Sequence, residues 1–417
     1  MNRVRVAVAV AGILGSGWLA SDIASAQSLD AAVERMLNNN CVQLGTPAAQ
    51  PPGSLGPNLD AICQDSASAN PTPSSSGGGG VSAQGSETLL SRQRAESRLE
   101  EERGASEAAA SDVATVTDLF DVAGLGLWLS ADYTDRDRDV TTFEDGYESD
   151  VWGGSAGVDY RFSDAFFAGL AFDYENIDGD LDGGGDFETD SYGGVLYASF
   201  APAPQVFIDG SIGYAWKDYD MERFLSFSEA NQNTGGIELL RQGFAESDTD
   251  GGEWSGRGIV GYDFVTGALT IGPRAGVSFA HTEIDGYRES GNTGIELVFS
   301  DRTRQSLQSV AGVSSSAAVP TGFGVVVPQV DLEWVHEFQD DQRHHSVRFV
   351  EDLRTPPAVF SYQNQDPDRD FFNLDVGTSV ILPGGFQAFV LFKTLLGHSH
   401  YDSYGATLGV RMELGGS

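Results

Sequence analysis

The stretch Tyr404-Gly405-Ala406-Thr407-Leu408-Gly409-Val410-Arg411-Met412-Glu413-Leu414 alternates strictly between two kinds of residue. Its even-numbered residues are all apolar, and its odd-numbered residues are glycine, threonine, arginine or glutamate. Because successive side chains of a β-strand point to opposite faces of the sheet, the stretch predicts a strand with one apolar and one polar face. Strands of this kind are typical of a transmembrane β-barrel, which has lipid outside and a polar interior.

The same alternation recurs from about residue 123 onwards. In one such segment Val330, Leu332 and Trp334 are apolar, whereas Asp331 and Glu333 between them are charged. Twelve segments of this kind are predicted, near residues 123–133, 150–162, 165–176, 190–200, 205–217, 253–265, 268–282, 305–317, 323–338, 372–382, 385–396 and 403–414.

The connections between these segments are alternately short and long. Residues 163–164, 201–204, 266–267, 320–322 and 383–385 read as tight turns, whereas the long acidic connections are 134–149, 177–189, 218–252, 283–304, 339–371 and 397–402. An even strand number with this rhythm predicts an all-β fold, a twelve-stranded antiparallel transmembrane β-barrel over residues 118–414. The fold prediction adds an N-terminal helix in the lumen.

The composition narrows the possible partners. The 417-residue chain has a formal net charge of −37 at pH 7, so nucleic acid is not an expected partner. The carboxylates concentrate in the long connections, where hydration and repulsion favour solvated loops.

Four regions are predicted along the chain. Residues 1–26, with Arg3 and Arg5 before an apolar run and Ala24-Ser25-Ala26 at its end, read as a cleaved signal peptide; the alternative is an uncleaved membrane helix. Residues 27–85 are predicted to be a short passenger-like segment with a Ser-, Gly- and Pro-rich linker. Its residues up to position 63 are too few to bury a core, and Cys41 and Cys63 are expected to form a disulfide.

Residues 86–117 are predicted to be a helix that leads into the pore, with the barrel following at 118–414. The alternation predicts that Asp331, Glu333, Arg257, Arg274 and Arg411 line the lumen. These residues would position the helix through its arginines Arg92, Arg94 and Arg98. A solvated helix outside the barrel is the alternative reading.

Three stretches resemble a known family, the translocator domain of autotransporters, the type V secretion proteins. They are residues 304–312 (RQSLQSVAG), 328–338 (PQVDLEWVHEF) and 404–411 (YGATLGVR), within a resemblance that covers about 86–414. The resemblance implies a monomeric barrel in the outer membrane of a Gram-negative-type cell, inserted with the barrel assembly machinery and periplasmic chaperones. It also implies that the preceding segment reaches the cell surface and that a helix stays in the pore.

Few residues suggest catalysis or a ligand. The G-x-S-x-G pattern at 153–157 falls inside a predicted strand, where a nucleophile elbow has no place. Asp178, Asp180 and Asp182 before Gly183 reproduce the opening of a calcium loop, although position 12 is Thr189 and a solvated acidic loop is the default. No enzymatic activity, metal or cofactor is therefore predicted.

The sequence thus predicts an outer-membrane translocator that exposes a short N-terminal segment at the cell surface. The alternative is a surface structural or adhesive barrel that acts through its long acidic loops. A passive pore is a third reading, which requires the lumen to be free of the helix.

Overall fold

A computed structural model describes residues 29, 32–33, 36–37, 53–65, 124–230, 237–339 and 344–414. These residues include the helix α1 (Pro57–Asp65) and seventeen strands. The strands are β1 (Leu125–Arg138), β2 (Tyr147–Ser163), β3 (Phe166–Leu181), β4 (Gly185–Ala203), β5 (Val206–Ala230), β6 (Ile237–Tyr262), β7 (Phe264–Thr266), β8 (Leu269–Ile284), β9 (Leu297–Phe299), β10 (Arg302–Ala317), β11 (Val319–Pro320), β12 (Val325–Glu337), β13 (His344–Phe349), β14 (Phe360–Gln363), β15 (Asp370–Leu382), β16 (Phe386–Leu396) and β17 (Tyr401–Leu414).

Twelve of the described strands close into an antiparallel barrel. The sheet runs from β1 through β2, β3, β4, β5 and β6 to β8, β10, β12, β15, β16 and β17. The last strand returns to the first, because β17 pairs with β1 from Leu125 opposite Leu414 to Arg138 opposite Tyr401. Each predicted segment corresponds to one barrel strand. The predicted fold class is confirmed.

Several strands are longer than predicted. The predicted loop 177–189 lies mostly within β3 and β4, and the predicted loop 218–252 lies mostly within β5 and β6, so these two loop assignments are wrong. Beyond the apolar band the alternation reverses, with Ile177, Leu181 and Phe187 buried on the inner face while Asp178 and Asp180 are exposed. The sequence prediction required apolar residues on the outer face of each strand, and it therefore ended these strands too early.

The two ends of the barrel differ. At the turn end, β2 and β3, and likewise β4 and β5, are joined by two residues each. At the loop end, residues 285–301 and 344–369 supply β9, β13 and β14, which form a separate three-stranded sheet, and we call these two segments the crossing loops. Within the described part of the chain, no α-helix has the length and apolar character needed to span a membrane.

Candidate functional site

The inner face of the barrel wall is polar. In β1, Ser130, Asp132 and Thr134 are buried, whereas Leu127 and Leu129 on the other face of the strand are 41% and 57% exposed. Buried charges need partners, because an isolated charge in a medium of low polarity is strongly disfavoured. The inner wall meets this need with networks of ion pairs.

One network joins β6, β8 and β12. The Arg274 Nη2 atom lies 2.9 Å from Asp331 Oδ1, and its Nε lies 3.0 Å from Glu333 Oε1. The Arg257 Nη2 atom donates to both carboxylate oxygens of Glu333, at 2.9 and 3.0 Å. Two arginines thus share two carboxylates, and charge-assisted bonds of this kind are stronger than neutral ones.

Gly312 makes room for this network. In the sheet it lies opposite Arg274 on one side and Glu333 on the other. A Cβ atom at position 312 would lie 2.7 Å from the Leu332 carbonyl oxygen and 2.9 Å from Glu333 Cγ. Both distances are too short for a side chain, so glycine is required where Arg274 reaches across β10.

A second network lies nearer the turn end. Arg411 Nη2 donates to Asp159 Oδ1 at 3.0 Å, and Arg411 Nη1 donates to Glu413 at 2.9 Å. The Tyr197 hydroxyl donates to Asp159 at 3.2 Å and accepts a bond of 2.7 Å from Trp128 Nε1. These contacts tie β17 to β1, β2 and β4 across the seam where the barrel closes.

At the loop end, the chain before the barrel contributes to an apolar core. We call residues 29, 32–33, 36–37 and 53–65 the N-terminal segment. Its buried side chains pack with barrel-wall residues and with residues of the two crossing loops. The segment contributes Leu29, Ala32, Val33, Leu37, Leu55, Leu59, Ile62 and Cys63; the wall contributes Tyr219, Leu225, Ala245 and Ile284; the loops contribute Tyr287, Ile295, Leu297, Phe299, Val347, Phe349 and Tyr362.

The residues up to position 63 are too few to bury a core by themselves, but they bury apolar side chains in this shared core. Leu59 and Ile62 are only 3% and 1% exposed. Full burial of such a side chain contributes about 1.5–3 kcal/mol. The segment obtains this stabilisation because the barrel wall and the loops supply the opposite half of the core.

Polar contacts fix the N-terminal segment in register with the loop between β12 and β15. Glu351 accepts a bond of 2.7 Å from the Leu59 backbone N–H and one of 2.9 Å from the Asn58 amide. A carboxylate at the start of α1 satisfies a donor that the helix itself leaves unpaired. Beside it, Leu55 and Asp352 form an antiparallel bridge.

The crossing loops are held to the wall by buried charges. Arg223 of β5 donates to both oxygens of Glu289, at 2.9 and 2.8 Å, and Glu289 also accepts from the Leu297 backbone N–H at 2.7 Å. The Arg302 guanidinium lies 5.2 Å from the centre of the Tyr287 ring. Burial raises the pKa of Tyr287, so its phenol stays neutral in this core.

The outer wall near the loop end is acidic. Across β1 to β6 the outward-facing carboxylates stand directly opposite one another in two rows. One row is Asp135, Asp150, Asp178, Glu188, Asp220 and Asp248; the other is Asp137, Glu148, Asp180, Asp186, Glu222 and Glu246. We call these rows the acidic wall. Like charges placed directly opposite on a sheet are destabilising.

The acidic wall shifts the titration of its members. Burial, followed by the charges of Glu188 and Asp180, raises the pKa of Asp178. Burial and then Glu148 raise the pKa of Asp137. In the adjoining row, burial and then Asp250 raise the pKa of Asp218. The repulsion therefore acts on the folded protein at neutral pH.

The predicted site residues fall into three groups. Asp331, Glu333, Arg257, Arg274 and Arg411 are buried or partly buried on the inner wall in the networks above. Arg92, Arg94, Arg98 and Cys41 lie outside the described residues. Cys63 is disulfide-bonded, and the chain contains one other cysteine.

The calcium-like stretch does not have the shape of a calcium loop. Asp178 and Asp180 lie in β3, and Asp182 follows in the turn. An extended strand does not fold around an ion as a calcium loop does. Among the described residues, no group of three or more His, Cys, Asp or Glu is placed to hold a metal ion.

Sequence reasoning missed Asp159, Gly312 and Glu351. The alternation in β2 places Asp159 on the polar face of its strand, but nothing nearby in sequence identifies Arg411 as its partner. Glu351 lies in a loop whose sequence has no periodic pattern, and its partner in α1 is 292 positions away.

The closed barrel with an apolar exterior and a charged interior defines the class of protein, an outer-membrane β-barrel. A family model described as the autotransporter beta-domain matches residues 127–392, more than half of the chain. The chain therefore belongs to the autotransporter β-domain family, which confirms the resemblance seen in the sequence. It forms an outer-membrane translocator barrel of a Gram-negative-type cell, where the bilayer surrounds it.

The chain is also similar to two solved structures and to one curated protein. The translocator domain of the autotransporter NalP from Neisseria meningitidis is similar in fold, with a TM-score of 0.56, 11% identity, and coverage of 79% of this chain and 97% of that one. The beta domain of the Bordetella autotransporter BrkA gives 0.46 and 18%, covering 69% and 99%. Lipase 1 of Photorhabdus luminescens is 24% identical over 165 residues, which are 39% of this chain. The chain spans about a quarter of that relative's length, 24%.

Proposed function

We propose that this barrel exposes its own N-terminal segment at the cell surface. The observation that supports the proposal is the position of two points of the chain. The N-terminal segment packs at the loop end, against Ile295, Leu297 and Phe349. The barrel begins at the opposite, turn end, where the Gly124 carbonyl accepts from the Arg161 backbone N–H. The chain between Asp65 and Gly124 therefore joins opposite ends of the barrel.

In this proposal the joining residues cross the membrane inside the barrel, because the lipid around it disfavours unpaired backbone groups. The predicted helix 86–117 would occupy this route. Its positioning by Arg92, Arg94 and Arg98 stays a prediction. Asp331 and Glu333 already bind Arg274 and Arg257, which gives these two carboxylates a role in holding the wall together.

The proposal includes a single barrel as the active unit, inserted with the barrel assembly machinery after delivery by periplasmic chaperones. It includes no catalytic role for the barrel. The activity in the name of Lipase 1 belongs to that protein, of which this chain matches about a quarter, 24%.

The experiment that tests the proposal places an epitope tag near Ser28 in the full chain. Intact cells should bind antibody against the tag. A second chain with the tag at positions 204–205, in a turn of the turn end, is the matched control and should bind antibody only after the outer membrane is opened. If the Ser28 tag behaves like the control, the translocator proposal fails.

The acidic wall favours a second candidate, a surface structural or adhesive protein for which the barrel is a platform. Its carboxylates are fixed on strands and not on solvated loops, so they present a rigid array. This candidate predicts that the Ser28 tag stays shielded in intact cells, while substitutions in the acidic wall abolish adhesion.

A further inference from the structure

The N-terminal segment is held at the loop end by more contacts than a segment in transit needs. It has apolar, charged and backbone contacts, and they come from different parts of the barrel. A passenger that is to be released from the cell surface has no need of a matched seat on the barrel that carried it.

The N-terminal segment packs against residues of the barrel wall and of both crossing loops, and we call these residues its seat. Tyr219, Ala245 and Ile284 come from three strands of the wall, β5, β6 and β8. Leu297 and Phe349 come from the two crossing loops. The N-terminal segment packs between wall and loops, so it adds an apolar core to the ion pair by which Arg223 of the wall holds the loop residue Glu289.

The polar contacts of the N-terminal segment join the start of α1 to the loop between β12 and β15. The Glu351 carboxylate accepts from the Leu59 N–H and the Asn58 amide, while its backbone carbonyl accepts from the Gly56 N–H at 2.8 Å. On the far side of the bridge, the Leu353 N–H donates to the Ser54 carbonyl at 3.0 Å. Side chain and backbone of one loop residue thus recognise the first turn of this helix.

A loop glycine fits the same helix closely. Gly294 has a φ of +90°, a backbone conformation that other residues rarely adopt. A Cβ atom at this position would lie 2.7 Å from Asn58 Cβ and 2.7 Å from the Leu59 nitrogen. The loop between β8 and β10 is therefore shaped against the start of α1.

We propose that the N-terminal segment is a resident stopper that closes the loop end of the barrel, with Glu351 as its recognition residue. The inference rests on the proposed function and deepens it, since it names the destination of the exposed segment. The stopper stays attached after translocation and is not released as a passenger.

Trypsin treatment of intact cells tests the stopper, because Arg35 is the one basic residue between Gln27 and Asp65. Cleavage there removes a tag placed near Ser28. In the full chain we compare Leu59→Asp, which places a charge in the shared core, and Glu351→Ala, which removes the acceptor of α1. The matched control for Leu59→Asp is Val359→Asp, at a residue that is 62% exposed on the loop that carries Glu351. The matched control for Glu351→Ala is Glu283→Ala, whose side chain is 71% exposed.

We expect the wild-type chain and both controls to lose the tag slowly. Glu351→Ala should lose it roughly tenfold faster, and Leu59→Asp on the order of a hundredfold faster, because local opening controls cleavage. Glu351→Ala decides the question if Leu59→Asp does not reach the outer membrane.

Two results would overturn the stopper. One is a wild-type chain that loses its tag as fast as Leu59→Asp; the other is a pair of variants that lose it no faster than the controls. In both results the tag still binds antibody on intact cells, so the translocator proposal stands. If the tag in every chain is beyond the reach of antibody until the outer membrane is opened, the translocator proposal itself has failed.

Discussion

At the scale of single residues, the inner wall shows how charges hold a polar barrel together. Glu333 binds Arg257 and Arg274, and Gly312 leaves the space through which Arg274 reaches it. Alternation in the sequence placed these charged residues on one face of their strands. It could not identify which arginine meets which carboxylate, because that depends on the stagger of neighbouring strands.

Glu333→Ala tests this network. It leaves two buried arginines without a shared carboxylate, and removing one partner of a buried ion pair costs about 3–5 kcal/mol. We expect a loss of about 3 kcal/mol in the free energy of unfolding, measured by guanidinium titration in detergent micelles. The matched control is Glu148→Ala in the acidic wall, where stability should be unchanged or slightly higher. Equal losses in both variants would show that the arginine network does not hold the wall.

At the scale of elements, the strands have two regimes along their length. Near the turn end the apolar side chains point outward, as Leu170 and Phe172 do in β3. Nearer the loop end they point inward, as Ile177 does, and Asp178 takes the outer face. Sequence periodicity therefore predicted all twelve strands but not their extensions. The reversal is physically the change from lipid to water on the outside of the same sheet.

The acidic wall predicts that stability rises on mild acidification. Asp137, Asp178 and Asp218 have raised pKa values in the folded protein, from burial and then from neighbouring carboxylates. Between the ordinary and the raised pKa the folded protein binds more protons than the unfolded chain, so stability falls as pH rises through this window. As the pH falls through this window, protonation of these three carboxylates should raise the melting temperature of the purified protein.

Asp178→Asn and Asp218→Asn check the cause of this pH dependence. Each should raise the melting temperature at neutral pH and weaken its dependence on pH. Asp352 does not oppose the effect: burial alone raises its pKa, but hydrogen bonds from Arg354 and Ala358 lower it, so its contribution is lost only under stronger acid. A melting temperature that falls on acidification, with unchanged slope in the variants, would contradict the prediction.

At the scale of the whole molecule, the two proposals together give the barrel two successive barriers to solutes. One is the N-terminal segment in its seat at the loop end, and the other is the helix predicted for residues 86–117. The barrel and its family could be predicted from the sequence because each strand carries its own periodic signal. The seat could not be predicted, because the residues that form it, such as Leu59, Ile284 and Val347, come from three distant parts of the chain.

Conductance in planar bilayers tests the two barriers. Deletion of residues 86–112 alone, or Leu59→Asp alone, leaves one barrier in place and should leave the conductance low. The two changes combined should open a lumen of twelve strands to small ions. Val359→Asp combined with the deletion is the matched control and should remain closed. Full conductance after the deletion alone would show that the seated segment is no barrier.

The pairing between α1 and the loop that follows β12 also sets an order of events. Asn58 and Glu351 are 293 positions apart, so half of the core of the N-terminal segment does not exist until most of the chain has been synthesised and the loop is in place. Contacts between such distant positions form late, since a long loop must close first. In the proposed function, the segment therefore passes through the narrow lumen before it has a complete fold that could obstruct it. Completion of the barrel and its loops is thus the event that allows the N-terminal segment to fold.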